Sequence, residues 1–398
     1  MSEMPSYVML TDSPPLENGG YGLNVVTWNW CVAMGKNLKL IVTRLPDPTV
    51  RPTDFTQSLQ TKVVFYSDLR RIVCGRRVAS FKSIAVLIRF IFSLGRIKGE
   101  ILSSGATRLF SFIGGDGWFL LMTALVAWKT KLPLDVYLVD DLEESARNEK
   151  HPIFARFVRW FEPRVLRRAD RVFLISKGYV DHVRKKYSVQ SQWLPIPFGA
   201  EKVQYHSSDT ANERVRQLAY LGSVNHLYES ALRELLEAMK QWNSESRAFK
   251  LELVIMSHTD SEYVKHALEG LGAWTLLSNR SDAECMERLS RSWAIFLPYS
   301  FEEDQRVMVS TSFPSRLARC MVAGRPLFVY GPGYASLPRY FAENDLLVCV
   351  QSCGQLIRGL EQIDAADCPQ TIERYENILK KNHSASAICG CLEMKEKE

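Results

Sequence analysis

From Ser312 to Pro332 the chain reads SFPSRLARCMVAGRPLFVYGP, a stretch that predicts a loop, one short helix, a tight stop and a buried strand. Pro314 has its φ already set for a first helical turn and no N–H to waste there. Gly324 stands where a helix ends in a left-handed residue. Pro326 keeps the helix from resuming, and Leu327-Phe328-Val329-Tyr330 is an apolar β run before the Gly331-Pro332-Gly333 turn. Upstream, Ile295-Phe296-Leu297-Pro298 predicts another buried strand. A helix that opens just beyond the carboxyl end of a parallel strand offers free N–H groups to an anion. Arg316 is expected in its first turn, so Ser312, Pro314, Ser315 and Arg316 form the expected phosphate site.

The rest of the chain repeats this strand–helix grammar. Tyr7–Thr11 predicts a strand, Asn18-Gly19-Gly20-Tyr21-Gly22 a glycine-rich loop, Leu23–Met34 a helix and Leu38–Thr43 the next strand, which together make one βαβ unit. The glycines lack the GxGxxG spacing of a nicotinamide site. Leu109–Ile113 runs into Gly114-Gly115-Asp116-Gly117 and a helix. Leu134–Val139 ends in Asp140-Asp141. Such alternation implies a parallel sheet covered on both faces. A polar, aperiodic stretch at 200–214 reads as a linker, after which the pattern restarts at Leu218–Leu221 and Gly222-Ser223. The expected layout is a first domain over 1–199, a second over 215–363, a helix within 364–382 and a flexible tail over 383–398.

Size and charge agree with this layout. At 398 residues the chain is too long for one ordinary core. Residues 1–199 hold 28 Lys+Arg against 17 Asp+Glu, whereas the remainder holds 22 against 27, so an anionic surface or ligand is expected on the first half. Nine scattered cysteines and no basic, apolar leader point to a reducing cytoplasm, and no Cys/His set has zinc spacing, so no metal is expected. Residues 69–98 carry eight basic residues and no acid, interleaved with apolar ones. They read either as a buried helix with a solvated rim or as a helix drawn to an anionic membrane surface, peripheral on its inner face. No recognised nucleic-acid module accompanies the charge, and nucleic acid is not expected as a partner.

Taken in order, these segments resemble the GT-B glycosyltransferases, in particular the large retaining family four. The resemblance rests on the Asn18–Gly22 loop, on Arg168-Ala169-Asp170-Arg171-Val172 with Ile175-Ser176, and on Ser312–Pro332. The last is similar to the family's SFPSKL…AxGxPV segment, with Arg316 standing for the lysine. The resemblance implies an α/β fold of two Rossmann-like doubly wound domains facing across a cleft, with the last helix crossing back to the first domain. It implies a nucleotide-sugar donor on the second domain and a carbohydrate or lipid-linked acceptor on the first. It also implies retention of configuration, and neither a metal nor a separate cofactor.

Under that resemblance Asp116 and Asp140 become the catalytic candidates. Ser223, His226, Ser312, Pro314, Ser315, Arg316 and Arg325 become donor contacts, and Gly19, Gly20, Tyr21 and Gly22 an acceptor or phosphate loop. Asp116 also reads as a helix cap, and Asp140 as a loop residue at a strand end. The chain departs from the family in two places. Thr311 and Arg319 stand where the family keeps two glutamates with seven residues between them, and Gly222-Ser223-Val224-Asn225-His226 lacks the arginine and lysine expected behind the second domain's first strand. Arg319 cannot accept from ribose hydroxyls as a carboxylate does. Two alternatives to a transferase therefore stand: a binding or scaffold protein with a degenerate donor site, and a nucleotide-sugar epimerase.

Overall fold

The computed structural model describes residues 5–16, 22–43, 61–66, 79–148, 150–198, 203, 213–346, 348–364 and 368–393. The chain divides into two compact units, Met1–Gly199 with Ala385–Glu398, and Ala200–Ser384. Each is a parallel sheet flanked by helices.

In the first unit the strands are β1 (Tyr7–Thr11), β2 (Leu38–Thr43), β3 (Lys62–Phe65), β4 (Arg108–Ile113), β5 (Leu134–Leu138), β6 (Arg171–Leu174) and β7 (Gln192–Trp193), in the order β3-β2-β1-β4-β5-β6-β7. Strands β1 and β4 pair in parallel, Tyr7 with Arg108 through Thr11 with Phe112. The order reverses between them, so the loops after β1 and β4 part to opposite faces and leave a crevice at their carboxyl ends. Every residue of β1, β5 and β6 is buried, as expected of strands covered on both faces. The Gly22–Met34 helix starts one residue before the expected position, and Gly35 stops it with φ 48°. Within the basic tract at 69–98 a helix begins at Ala79, and it continues past Gly95 to Ser103.

The second unit contains β8 (Val215–Leu221), β9 (Lys250–Ser257), β10 (Trp274–Ser278), β11 (Ala294–Pro298), β12 (Leu327–Tyr330) and β13 (Val348–Val350), in the order β10-β9-β8-β11-β12-β13. The switch lies between β8 and β11, where Ala294 pairs with Leu218 and Ile295 with Ala219. Its core brings Leu218, Tyr220, Leu253, Ile255, Phe296 and Phe328 of the sheet against Leu232, Leu236 and Met239 of the Glu229–Ser244 helix.

Two expectations are corrected here. The Ser312–Pro332 helix spans Leu317–Val322, with Arg316 as its cap residue rather than inside its first turn. Pro314 belongs to the preceding turn, its carbonyl accepting from Leu317 N–H at 3.0 Å. Gly324 does end the segment in the left-handed region, at φ 69°. At the carboxyl terminus, Cys368–Ile378 packs on Leu317–Val322 in the second unit. The element that joins the first unit is Ala385–Glu393, inside the stretch expected to be a flexible tail. Its Ile388 and Leu392 are buried, it packs on Gly22–Met34, and Arg171 Nη1 donates to Leu392 O at 2.7 Å. The sequence of this helix, ASAICGCLE, has weak local propensity, and packing supplies the stability.

Candidate functional site

At the β8–β11 switch of the second unit, the chain turns at Gly222 with φ 148°. Into the space beside it projects the Arg316 side chain, delivered by the turn after Pro314. A β-carbon on Gly222 would stand 1.9 Å from Arg316 Nη1. The guanidinium lies over the rings of Tyr220 and Tyr228, with 5.0 and 4.9 Å to their centroids. Tyr228 stacks in turn on Tyr299 at 6.1 Å, and Tyr220 Oη donates to Ser223 O at 2.6 Å, pinning the loop. Arg316 Nε is buried and has no hydrogen-bond partner among the described residues. An arginine keeps its charge at any working pH, and a buried N–H left unspent beside two aromatic rings is a donor awaiting an acceptor.

The other expected donor contacts are placed unevenly. Ser223 and His226 are exposed in the same β8 loop as Gly222. Ser315 is half-buried beside Arg316, and Pro314 is buried. Ser312 is buried, and its carbonyl is spent on Tyr299 Oη at 3.2 Å and on the Ser336 hydroxyl. Arg325 is a correction. It precedes β12, at the amino end of the strands and away from the switch, and is buried with Nε donating to Ser290 O at 2.5 Å. A helix stop followed at once by a strand puts its basic residue at the wrong edge of the sheet. Arg319 is held in a two-pronged pair with Asp282, at 2.9 and 3.0 Å, and Thr311 Oγ1 donates to Val307 O at 2.9 Å.

In the first unit the carboxyl ends of β1, β4 and β5 gather three acids. Asp12, directly after β1 and buried, accepts from the N–H groups of Gly114 at 3.1 Å and Asp116 at 3.4 Å. Asp116 caps the Gly117–Thr130 helix, Oδ1 accepting from Trp118 N–H at 2.9 Å. Asp140 lies alongside: a β-carbon on Gly115 would be 4.0 Å from its Oδ2. Burial first, then the charges of Asp12 and Asp141, push the Asp140 carboxyl up to about 7. Asp141 behaves oppositely. Burial pulls it upward, but His182, Lys186 and the Glu144 N–H outweigh that and hold it below the ordinary carboxylate range. Adjacent acids thus have different roles, one able to hold a proton near neutrality and one locked in ion pairs.

Sequence reasoning missed Asp12. Its signal was faint, a single acid just past a strand, and its meaning depends on β4 lying next to β1. The start of the first helix joins the same cluster, since a β-carbon on Gly114 would meet Leu23 Cδ1 at 2.6 Å. Gly22 opens that helix, while Gly19, Gly20 and Tyr21 lie outside the described residues. Among the described residues no group of three or more His, Cys, Asp or Glu is arranged to hold a metal ion.

No family model matches the chain, and no curated protein matches it. Solved structures do. Sucrose-phosphate synthase from Thermosynechococcus elongatus superposes with a TM-score of 0.67 at 12% identity, covering 97% of each chain. HepE of Anabaena, solved with UDP-glucose, gives 0.61 at 10% identity over 97% of this chain and 98% of that one. WaaG, a glycosyltransferase involved in lipopolysaccharide biosynthesis, gives 0.59 at 13% identity over 98% of this chain and all of that one. At such identities the likeness speaks for the fold, and the chain has the double Rossmann-like architecture of the GT-B glycosyltransferases.

Proposed function

We propose that the chain is a glycosyltransferase that takes a sugar from a nucleoside diphosphate donor bound at the β8–β11 switch of its second unit. The observation that carries the reading is Arg316, whose buried, unpartnered N–H and fixed charge stand at the carboxyl end of β8. Breaking the bond between sugar and diphosphate develops negative charge on the leaving phosphate, and an oriented guanidinium in a low-dielectric wall stabilises that charge. Arg316 then replaces the cations missing behind β8, with Ser223, His226 and Ser315 as further donor contacts. HepE was solved with UDP-glucose and with UDP, which makes uridine diphosphate the first ligand to test.

The acceptor, a carbohydrate or lipid-linked sugar, is assigned to the carboxylate cluster of the first unit. Asp140, with a proton affinity near neutrality, exchanges a proton with an acceptor hydroxyl, and Asp12 holds the Gly114–Asp116 loop beside it. We further propose metal-independent transfer with retention, following the family resemblance. Calorimetry with nucleoside diphosphates tests the donor assignment, and the anomeric configuration of the product by NMR tests retention. Unchanged uridine diphosphate affinity in Arg316→Ala would remove the central support.

A second reading has its own observation. Arg319 is locked to Asp282 where the family keeps a carboxylate for the donor's ribose. A protein that binds the nucleotide without turnover fits that arrangement. Transfer or hydrolysis above background across a panel of nucleotide sugars rules it out.

The basic tract at 69–98 is proposed to meet an anionic membrane surface. Arg70, Arg71, Arg76 and Arg77 lie outside the described residues, while Ile88, Ile91 and Phe92 are exposed on the 79–103 helix. Among the described residues no helix is long and apolar enough to cross a membrane.

A further inference from the structure

The Pro152–Leu166 helix has an unusual outer face. Its inner side packs into the first unit through Ala155, Val158, Phe161 and Val165. Outward it presents Ile153, Arg156, Trp160 and Arg164, three or four residues apart along one stripe, with Arg159 on the flank. Ile153 is 84% exposed and Trp160 57%. The helix's one acid, Glu162, points inward and is fully buried. Among the described residues Arg156, Arg159 and Arg164 form no ion pair. A solvated helix face normally mixes both signs of charge and keeps large apolar groups inside. This one offers arginine, isoleucine and tryptophan to the outside and no carboxylate.

The tryptophan is braced from below. Trp160 stacks on Phe157 at 6.1 Å, Phe157 lies 5.7 Å from Trp118, and Trp118 stacks on Phe154 at 4.7 Å. Arg164 lies over the Trp160 ring, 4.2 Å from its centroid. The neighbouring Gly117–Thr130 helix packs against this one, Gly117 fitting beneath Phe154 and Val158. It repeats the theme near its end, where Trp128, 59% exposed, carries Lys129 at 4.5 Å and Lys131 at 5.7 Å. Indoles capped by cations suit the boundary between lipid headgroups and acyl chains, where the ring is sheltered and the charge meets phosphate.

We propose that the outer face of the Pro152–Leu166 helix is a docking surface for an anionic lipid bilayer, with Ile153 and Trp160 entering the headgroup–acyl boundary and Arg156, Arg159 and Arg164 pairing with lipid phosphates. Charge complementarity chooses the occupant. The face is uniformly cationic and carries a protruding apolar residue and an indole, so it matches a surface both anionic and able to accept apolar groups. The proposal is independent of the transferase reading and of residues 69–98.

The test uses the full chain and vesicles of phosphatidylglycerol and phosphatidylcholine, with pure phosphatidylcholine as reference. Wild-type protein is expected to co-sediment with the anionic vesicles and to leave them at high salt. Arg156→Gln/Arg159→Gln/Arg164→Gln should lower the partition coefficient at least about ten-fold, and Ile153→Ser/Trp160→Ser should do likewise. Tyr263→Ser, at an exposed ring of the second unit, should leave it unchanged, and Phe92→Ser reports separately on the 79–103 helix. Trp160→Phe, a mild replacement, should bind as wild type but lose part of the fluorescence quenching by brominated lipid. Equal binding of wild type to both vesicle types, or undiminished binding of both multiple variants, overturns the proposal. So does loss of binding in Phe92→Ser with the multiple variants unaffected, which would move the surface elsewhere. Quenching in Trp160→Phe identical to wild type also overturns it, and that outcome does not depend on whether the other variants fold.

Discussion

Gly222 and Arg316 share one space: the guanidinium fills the volume that the β-carbon of any other residue at position 222 would need, at 1.9 Å. The two residues are far apart in sequence and meet because β8 and β11 are neighbours at the switch. The absence of a side chain after β8 is thus part of how the cation is seated.

Gly222→Ala should both strain the backbone and expel Arg316. A residue with a β-carbon at φ 148° costs about 1–3 kcal/mol. The expected result is a melting temperature lowered by several degrees together with weaker uridine diphosphate binding. Arg316→Ala should weaken that binding about ten- to a hundred-fold through loss of a charge-assisted contact. Arg316→Lys should lie between, since an ammonium keeps the charge but not the fork. Titration calorimetry separates the three.

Asp140→Asn should lower turnover about a hundred- to ten-thousand-fold if the carboxyl exchanges a proton with the acceptor. Donor affinity should stay unchanged, because Asp140 belongs to the first unit's cluster and Arg316 to the second unit. In wild type, kcat/KM should change with pH near the value of about 7 to which burial, Asp12 and Asp141 push the Asp140 carboxyl. Steady-state kinetics across pH 5.5 to 9 checks both, and wild-type turnover in Asp140→Asn removes the assignment.

Glu162 gives a stability test independent of function. Burial first, then the Asp141 charge, push its carboxyl up to about 8, while Tyr187 Oη donates to its Oε2 at 2.8 Å. A carboxyl raised on folding binds its proton more tightly in the native state. Its contribution to stability therefore declines as pH climbs from the ordinary range, roughly 4, to about 8 and is level above that. Glu162→Gln removes this decline. Urea unfolding should show the variant gaining on wild type between pH 5 and 8.5, by about 1–3 kcal/mol.

Removal of 385–398 should destabilise the first unit. The Ala385–Glu393 helix buries Ile388 and Leu392, each contributing roughly 1.5–3 kcal/mol, and its Leu392 carbonyl accepts from Arg171. Arg171 also holds the buried Asp135, with Nε at 2.9 Å from its Oδ1, and donates to Tyr7 Oη at 2.8 Å. Arg171→Met should cost about 3–5 kcal/mol, because it leaves a buried carboxylate short of a partner. Arg108, 2.7 Å from Asp135, moderates the loss. Thermal unfolding of the truncated chain and of Arg171→Met reads both effects.

The alternation of strand and helix, the restart after residue 214 and the stops at Gly35 and Gly324 were legible in the sequence, because period, proline and glycine act within a few residues of chain. The short helix that follows Arg316 was legible for the same reason: a strand, a turn and a helix stop are all local. Tertiary structure decided what depends on which strands become neighbours. Pairing of β1 with β4 gave Asp12 its role and set Asp140 beside the Gly114–Asp116 loop. Pairing of β8 with β11 put Arg316 against Gly222. The same geometry sent Arg325 to the far edge of the sheet and tied Arg319 to Asp282. It also made a helix of Ala385–Glu393, whose own residues have little tendency to form one. Local sequence fixes conformation through short-range sterics and hydrogen bonds, whereas charge pairing and burial are settled by contacts between distant segments, which appear once the crossovers are complete.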